Sequence, residues 1–195
     1  MSAGLSTEPL VYHSFRSPYS RLGLHVVKRA GLNPAVIAFT GPPEGVPFSD
    51  PVANPPKLLY YAQDAPRMTR RMGLPMKRPD PFDVDFGPAN RALVAAGREG
   101  RGLDFAIAAA DARWGAGLNI SALSVLKDAA RAIGWDPGAV ESAQSDPVIA
   151  EELSAYKGLI ERDGVFGVPF AVIGAEKFWG HDRFDLFVEA VQNSR

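Results

Sequence analysis

The sequence predicts an α/β fold in which one mixed β-sheet is contributed by both chain ends and interrupted by a large all-helical insertion. Three observations lead there. Runs rich in β-branched and aromatic residues, bounded by turn residues, stand near the two ends, in "PLVYHSF" (9–15), "AVIAF" (35–39), "VPFAVIG" (168–174) and "EKFWG" (176–180). The stretch from 57 to 163 carries helical periodicity and helix-start signals instead. The first two strands are separated by one short helical pattern, which makes a βαβ unit with a right-handed crossover. The implied division is 9–40 plus 165–195 for the sheet domain and 57–163 for the insertion.

Each element has a local reason. Ser17 and Pro18 form a helix start as N-cap and first helical residue, and "YSRLGLHVVKRAG" places Leu22, Val26 and Ala30 near helical spacing before Gly31 ends it. The stretch 40–56 holds six prolines in seventeen residues and reads as a long loop. "KLLYYAQDAPRMTRRMG" follows as a helix kinked or split at Pro66, then "PANRALVAAGREG" and "LDFAIAAADARWGAG". Ser121, Asp136 and Asp146 each read as an N-cap, and "ELSAYKGLIERDG" closes the block. The last two strands join through a tight turn at Gly174-Ala175. Asp182 is expected to cap a final amphipathic helix whose apolar side carries Phe184, Phe187, Val188 and Val191.

Composition narrows the function. With 195 residues the chain suits one well-buried domain, or one domain with an insertion. Its 21 basic and 22 acidic residues leave a net charge of -1, so bulk attraction to nucleic acid or anionic membranes is excluded. The "RMTRRM" cluster (67–72) reads as a solvated helix face. There is no cysteine, which excludes disulfides, thiolate metal sites and thiol chemistry by the protein itself. Any nucleophile must be oxygen or nitrogen, or arrive with a ligand. "MSAGLSTEPL" lacks the pattern of a secretory signal, and no run approaches the roughly 18 apolar residues of a membrane span, so a cytoplasmic protein is expected.

A β-α-β start, a helical insert and a terminal β-β-α resemble the thioredoxin-like fold, with Ser17 at the helix start where redox members carry cysteine. The combination of "SPYS" (17–20) with "GVFGVPFAVIGAEKFWGHDRFDLF" (164–187) resembles the 2-hydroxychromene-2-carboxylate isomerases and the kappa-class glutathione transferases. The resemblance extends over about residues 9 to 190, including "LNISALSVLKDAARAIGWD" (118–136). It implies glutathione as cofactor, with the Ser17 hydroxyl donating a hydrogen bond to the thiolate sulfur. It also implies a cis Val168-Pro169 bond beside which the Val168 backbone pairs with the ligand peptide, and Asp182 on the γ-glutamyl amino group.

Each of these residues has a plainer reading. Ser17 and Asp182 can be helix caps, and one carboxylate oxygen suffices for each job of Asp182. Lys57 matches a family lysine near a ligand or substrate carboxylate, or is a solvated charge at a helix start. Asn54 departs from the pattern: "ANPPK" puts it three residues before the lysine, where the family spaces the two widely. His13 and His181 replace other residue types and can titrate near neutrality; His181 is assigned to ligand contact, His13 to structure, and His25 to no particular role. Tyr19 packs, with a ring able to line the site. Phe82, Phe86, Phe105 and Trp114 can supply an apolar wall for an aromatic substrate.

Three functions of different classes follow. The first is a glutathione-dependent cis-trans isomerase of an unsaturated aromatic-pathway carbonyl acid, acting by reversible thiolate addition. The second is a kappa-like transferase or peroxidase that consumes glutathione, and the third a non-catalytic thioredoxin-like binding protein. "FWGHDRFDLF" is closer to the isomerase branch, which orders them. The resemblance further implies a homodimer.

Overall fold

The computed structural model describes residues 8–47 and 53–194. Strand β1 (Leu10–His13) leads through α1 (Pro18–Arg29) to β2 (Ala35–Ala38), which lies parallel to β1 with Tyr12 opposite Ile37. From the other chain end, β3 (Phe170–Ile173) runs antiparallel to β1, with Tyr12 opposite Phe170, and β4 (Glu176–Trp179) runs antiparallel to β3. The order β2-β1-β3-β4 makes one mixed sheet from the two termini, as the sequence predicts. Central strands β1 and β3 are buried along their whole length, which explains their unbroken apolar runs; edge strand β4 is mostly exposed.

The helical block contains α2 (Pro55–Arg71), α3 (Gly87–Arg98), α4 (Gly102–Ala110), α5 (Leu123–Ala132), α6 (Pro137–Ser142) and α7 (Pro147–Asp163). A π-helical turn, Asp111–Gly115, continues α4. Asp136 and Asp146 are the expected N-caps, accepting from Gly138 N at 2.9 Å and Val148 N at 2.8 Å. Four expectations are corrected. Helix α2 starts at Pro55, inside the stretch read as loop, because Asn54 caps it and two prolines are tolerated in a first turn; it then passes through Pro66 unbroken. Ser121 caps nothing: α5 starts after Ala122, and the Ser121 amide and hydroxyl both donate to Asn119 Oδ1, at 2.9 and 2.7 Å, as a local Asx turn. Asp182 does not cap the last helix, α8 (Phe184–Asn193), because a 3₁₀ turn, His181–Arg183, is inserted before it.

One continuous apolar core joins the sheet to the helices. Alanines at 92, 96, 106, 109 and 110 are fully buried, and such small side chains let helix backbones pack closely. Helix α8 rests its buried face, Phe184, Phe187, Val188 and Val191, against the sheet and α1. At Gly23 a Cβ would stand 2.8 Å from the Phe184 ring, so only glycine admits this approach. The Tyr12 hydroxyl donates to Asp163 Oδ2 at 2.5 Å, tying the central strand to the end of α7. His13 lies in the core, 1% exposed and edge-on to Phe15, and burial lowers its pKa to about 3.

Candidate functional site

The pairing of Tyr12 with Phe170 brings the end of β1 beside the start of β3. The 14–17 turn and the Val168-Pro169 peptide therefore share one end of the sheet. Val168-Pro169 is cis, as the resemblance implies. Ser17 is the N-cap of α1: its extended backbone donates from Ser17 N to Ser14 O at 3.0 Å, and its Oγ accepts from Ser20 N at 3.2 Å. A hydroxyl that accepts in this way keeps its own proton to donate. The helix start adds a partial positive charge, so the corner suits an anion.

The remaining parts are hung on this corner by short contacts. The Pro169 carbonyl accepts from Gly180 N at 2.9 Å, which fixes the following 3₁₀ turn against α1. There His181 stacks on Tyr19, ring centroids 5.1 Å apart and planes 24° from parallel. The Tyr19 hydroxyl donates to Asp64 Oδ2 at 2.8 Å, and Arg67 donates to Asp64 Oδ1 at 2.9 Å. Tyr61 meets Tyr19 edge-on at 5.5 Å, and the Lys57 ammonium lies 5.8 Å from the Tyr61 ring centre. Burial, then the Asp64 hydrogen bond, holds Tyr19 firmly protonated. Burial lowers the pKa of His181 against the opposing pull of Asp182 and Asp64, and its Nε2 has no partner among the described residues.

Ser17, Val168, Pro169 and His181 are thus gathered at one end of the sheet, with Lys57 joined to them through Tyr61 and Tyr19. Asn54 is the N-cap of α2: its Oδ1 accepts from Lys57 N at 3.2 Å. The Asp182 carboxylate accepts from its neighbour Arg183 at 2.8 Å, and its side chain is 56% exposed. Tyr61 and Asp64, which set Tyr19 in place, escaped the sequence reading because the Tyr19–Asp64 bond spans 45 residues. His25, assigned no role, lies 2.9 Å from Asp111 Oδ1, which also accepts from buried Arg21 Nε at 2.6 Å. The i, i+4 spacing of Arg21 and His25 on one helix face was the available signal. On the other side of the 14–17 turn, Trp114 Nε1 donates to Phe15 O at 2.9 Å.

The described residues hold no group of three acidic, histidine or cysteine side chains able to bind a metal, and no helix long and apolar enough to cross a membrane. What the corner offers is anion stabilisation by a helix start and a hydroxyl.

Known proteins share this fold. Over 135 residues the chain is 26% identical to a 2-hydroxychromene-2-carboxylate isomerase of Pseudomonas putida, a match covering 69% of this chain and 66%, just under two thirds, of that protein. A solved structure of a 2-hydroxychromene-2-carboxylate isomerase superposes with a TM-score of 0.78 at 22% identity, covering 95% of this chain and 94% of the other. The cytosolic disulfide reductase DsbM of Pseudomonas aeruginosa, solved with GSH, superposes with a TM-score of 0.66 at 16% identity over 95% of this chain and 98% of its own. The DSBA-like thioredoxin domain model matches residues 10–192, and with a mixed sheet, a helical insert and a cis-proline immediately before β3, the chain belongs to that family.

Proposed function

We propose that the protein is a glutathione-dependent cis-trans isomerase of an α,β-unsaturated oxo acid related to 2-hydroxychromene-2-carboxylate. The observation that carries this is Ser17, capping α1 beside the cis Val168-Pro169 peptide in a chain without cysteine. A disulfide oxidoreductase needs a cysteine at that corner. A hydroxyl there can hold a thiolate that a ligand brings. The isomerase name of the curated relative and the GSH in the DsbM structure favour the same reading.

Bound glutathione supplies a sulfur nucleophile that adds reversibly to the conjugated double bond, frees rotation, and leaves unchanged. A free thiol of this kind has a pKa near ~8.5, so the site must favour its ionised form. Ser17 does so by donating its hydroxyl proton in a hydrogen bond, and α1 by its N-terminal charge. The Val168 backbone, His181 and Asp182 hold the peptide and its amino end, with Asn54 setting the start of α2 and hence the position of Lys57. The Lys57 ammonium stabilises negative charge that develops on the substrate's carbonyl oxygen. In solution we propose a homodimer, which sedimentation tests by giving twice the chain mass rather than the chain mass itself.

The test is a titration of the protein with glutathione near neutral pH, followed in the ultraviolet. Thiolate absorbance should appear at a pH where free glutathione shows little. Binding without that absorbance would overturn the reading.

A further inference from the structure

Arg113 lies in the π-helical turn beside Trp114, whose indole bonds the carbonyl of Phe15, two residues before Ser17. Its side chain is fully buried, at 0% exposure. Only Nη2 is used, donating to the Phe82 carbonyl. Nε and Nη1, which carry three of a guanidinium's five N–H groups, have no partner among the described residues. No carboxylate among the described residues lies within ion-pair distance of it, although the charge of Asp83 acts on it. The ring centres of Phe86 and Trp114 lie 4.9 and 5.2 Å from its central carbon. Burial pushes its pKa down to about 10, the Asp83 charge resisting and that of Arg16 assisting.

A buried cation with unused donors is costly unless something completes it. The usual solution, an acidic neighbour in contact, is not found among the described residues. The surroundings suggest the occupant: the Phe86 and Trp114 rings beside the guanidinium, with Phe82 edge-on to Trp114, suit a planar conjugated body, and a guanidinium fork matches a carboxylate. Phe82 and Phe86 are half-buried, whereas Arg113 is closed off from solvent.

We propose that Arg113 is the receptor for the substrate carboxylate, with Phe82, Phe86 and Trp114 enclosing the conjugated chain of an aryl oxo acid. This rests on the isomerase reading for the identity of the acid. Two cations then divide the work. Arg113 anchors the carboxylate, and Lys57 remains for the carbonyl oxygen.

The test is calorimetric titration of the full chain, without glutathione, using benzylidenepyruvate and separately its methyl ester. The wild type should bind the acid at least about 10-fold more tightly than the ester. Arg113→Met should weaken the acid about 10- to 100-fold, the range for losing a charged hydrogen-bonded pair, and leave the ester within about twofold. Glutathione affinity, titrated separately, should stay within about twofold. Replacing a buried charge by an apolar chain of similar volume is usually tolerated by the fold. Should Arg113→Met not fold, Arg113→Lys serves: it keeps the charge, loses the fork, and should lose most of the acid preference. A wild type indifferent to esterification, or variants that keep the acid preference, would overturn the proposal. Acid preference lost in the variant without any isomerisation by the wild type would support the carboxylate site and remove the isomerase reading. Isomerisation without acid preference would do the reverse.

Discussion

Replacing Ser17 with alanine separates two jobs that one hydroxyl can hold. As a cap, Oγ accepts a single bond from Ser20 N at 3.2 Å, and its loss costs about 1 kcal/mol. In a chain of 195 residues that lowers the melting temperature by about 2–4 °C, a shift visible by calorimetry. As a ligand donor, the same hydroxyl gives one charge-assisted hydrogen bond to the thiolate. Losing it costs about 1.5–3 kcal/mol, or about 10- to 100-fold in the population of thiolate and in rate. The helix dipole and the cis Val168-Pro169 backbone remain in the variant, so glutathione should still bind. The assay is paired: melting of the free protein, and thiolate absorbance of the glutathione complex, for wild type and Ser17→Ala. A lowered melting point with undiminished thiolate absorbance would show that Ser17 is a cap alone.

Two further outcomes follow from buried charge. Asp111→Ala strands the Arg21 guanidinium, 1% exposed, with the Pro75 carbonyl as its remaining partner among the described residues; urea melts should show a loss of about 2–3 kcal/mol. His13, with a folded pKa of about 3 against 6.5 unfolded, takes up a proton on unfolding between those values, so its contribution is present above about pH 6.5 and lost as pH falls toward 3. The wild-type slope should gain about 1.4 kcal/mol per pH unit from this group in that window, and urea melts of His13→Leu across the same range should show that part removed.

Much of the fold was legible because its signals are local. Four strand-like runs, the Ser17-Pro18 start and the caps at Asp136 and Asp146 need only neighbouring residues to be recognised. Asn54 misled because the prolines around it signal both a loop and a helix start, and only the packing of α2 on α1 decides between them. Asp182 misled because a 3₁₀ turn shifts the start of the last helix by one residue. At the site, Ser17, Pro169 and His181 could be placed through a resemblance of motifs. The partners of Tyr19, His25 and Arg113 could not: Asp64, Asp111 and Phe82 lie 45, 86 and 31 residues away, and hydrogen bonding across such distances leaves no local signature of the partner.

The measurement that bears most directly on the proposed activity is turnover of 2-hydroxychromene-2-carboxylate at substoichiometric glutathione, with substrate, product and free thiol followed together. Recycling predicts many equivalents of trans isomer per glutathione and full recovery of the free thiol when the reaction stops. A yield capped at one equivalent, with glutathione retained in a stable thioether, would contradict it and identify a transferase.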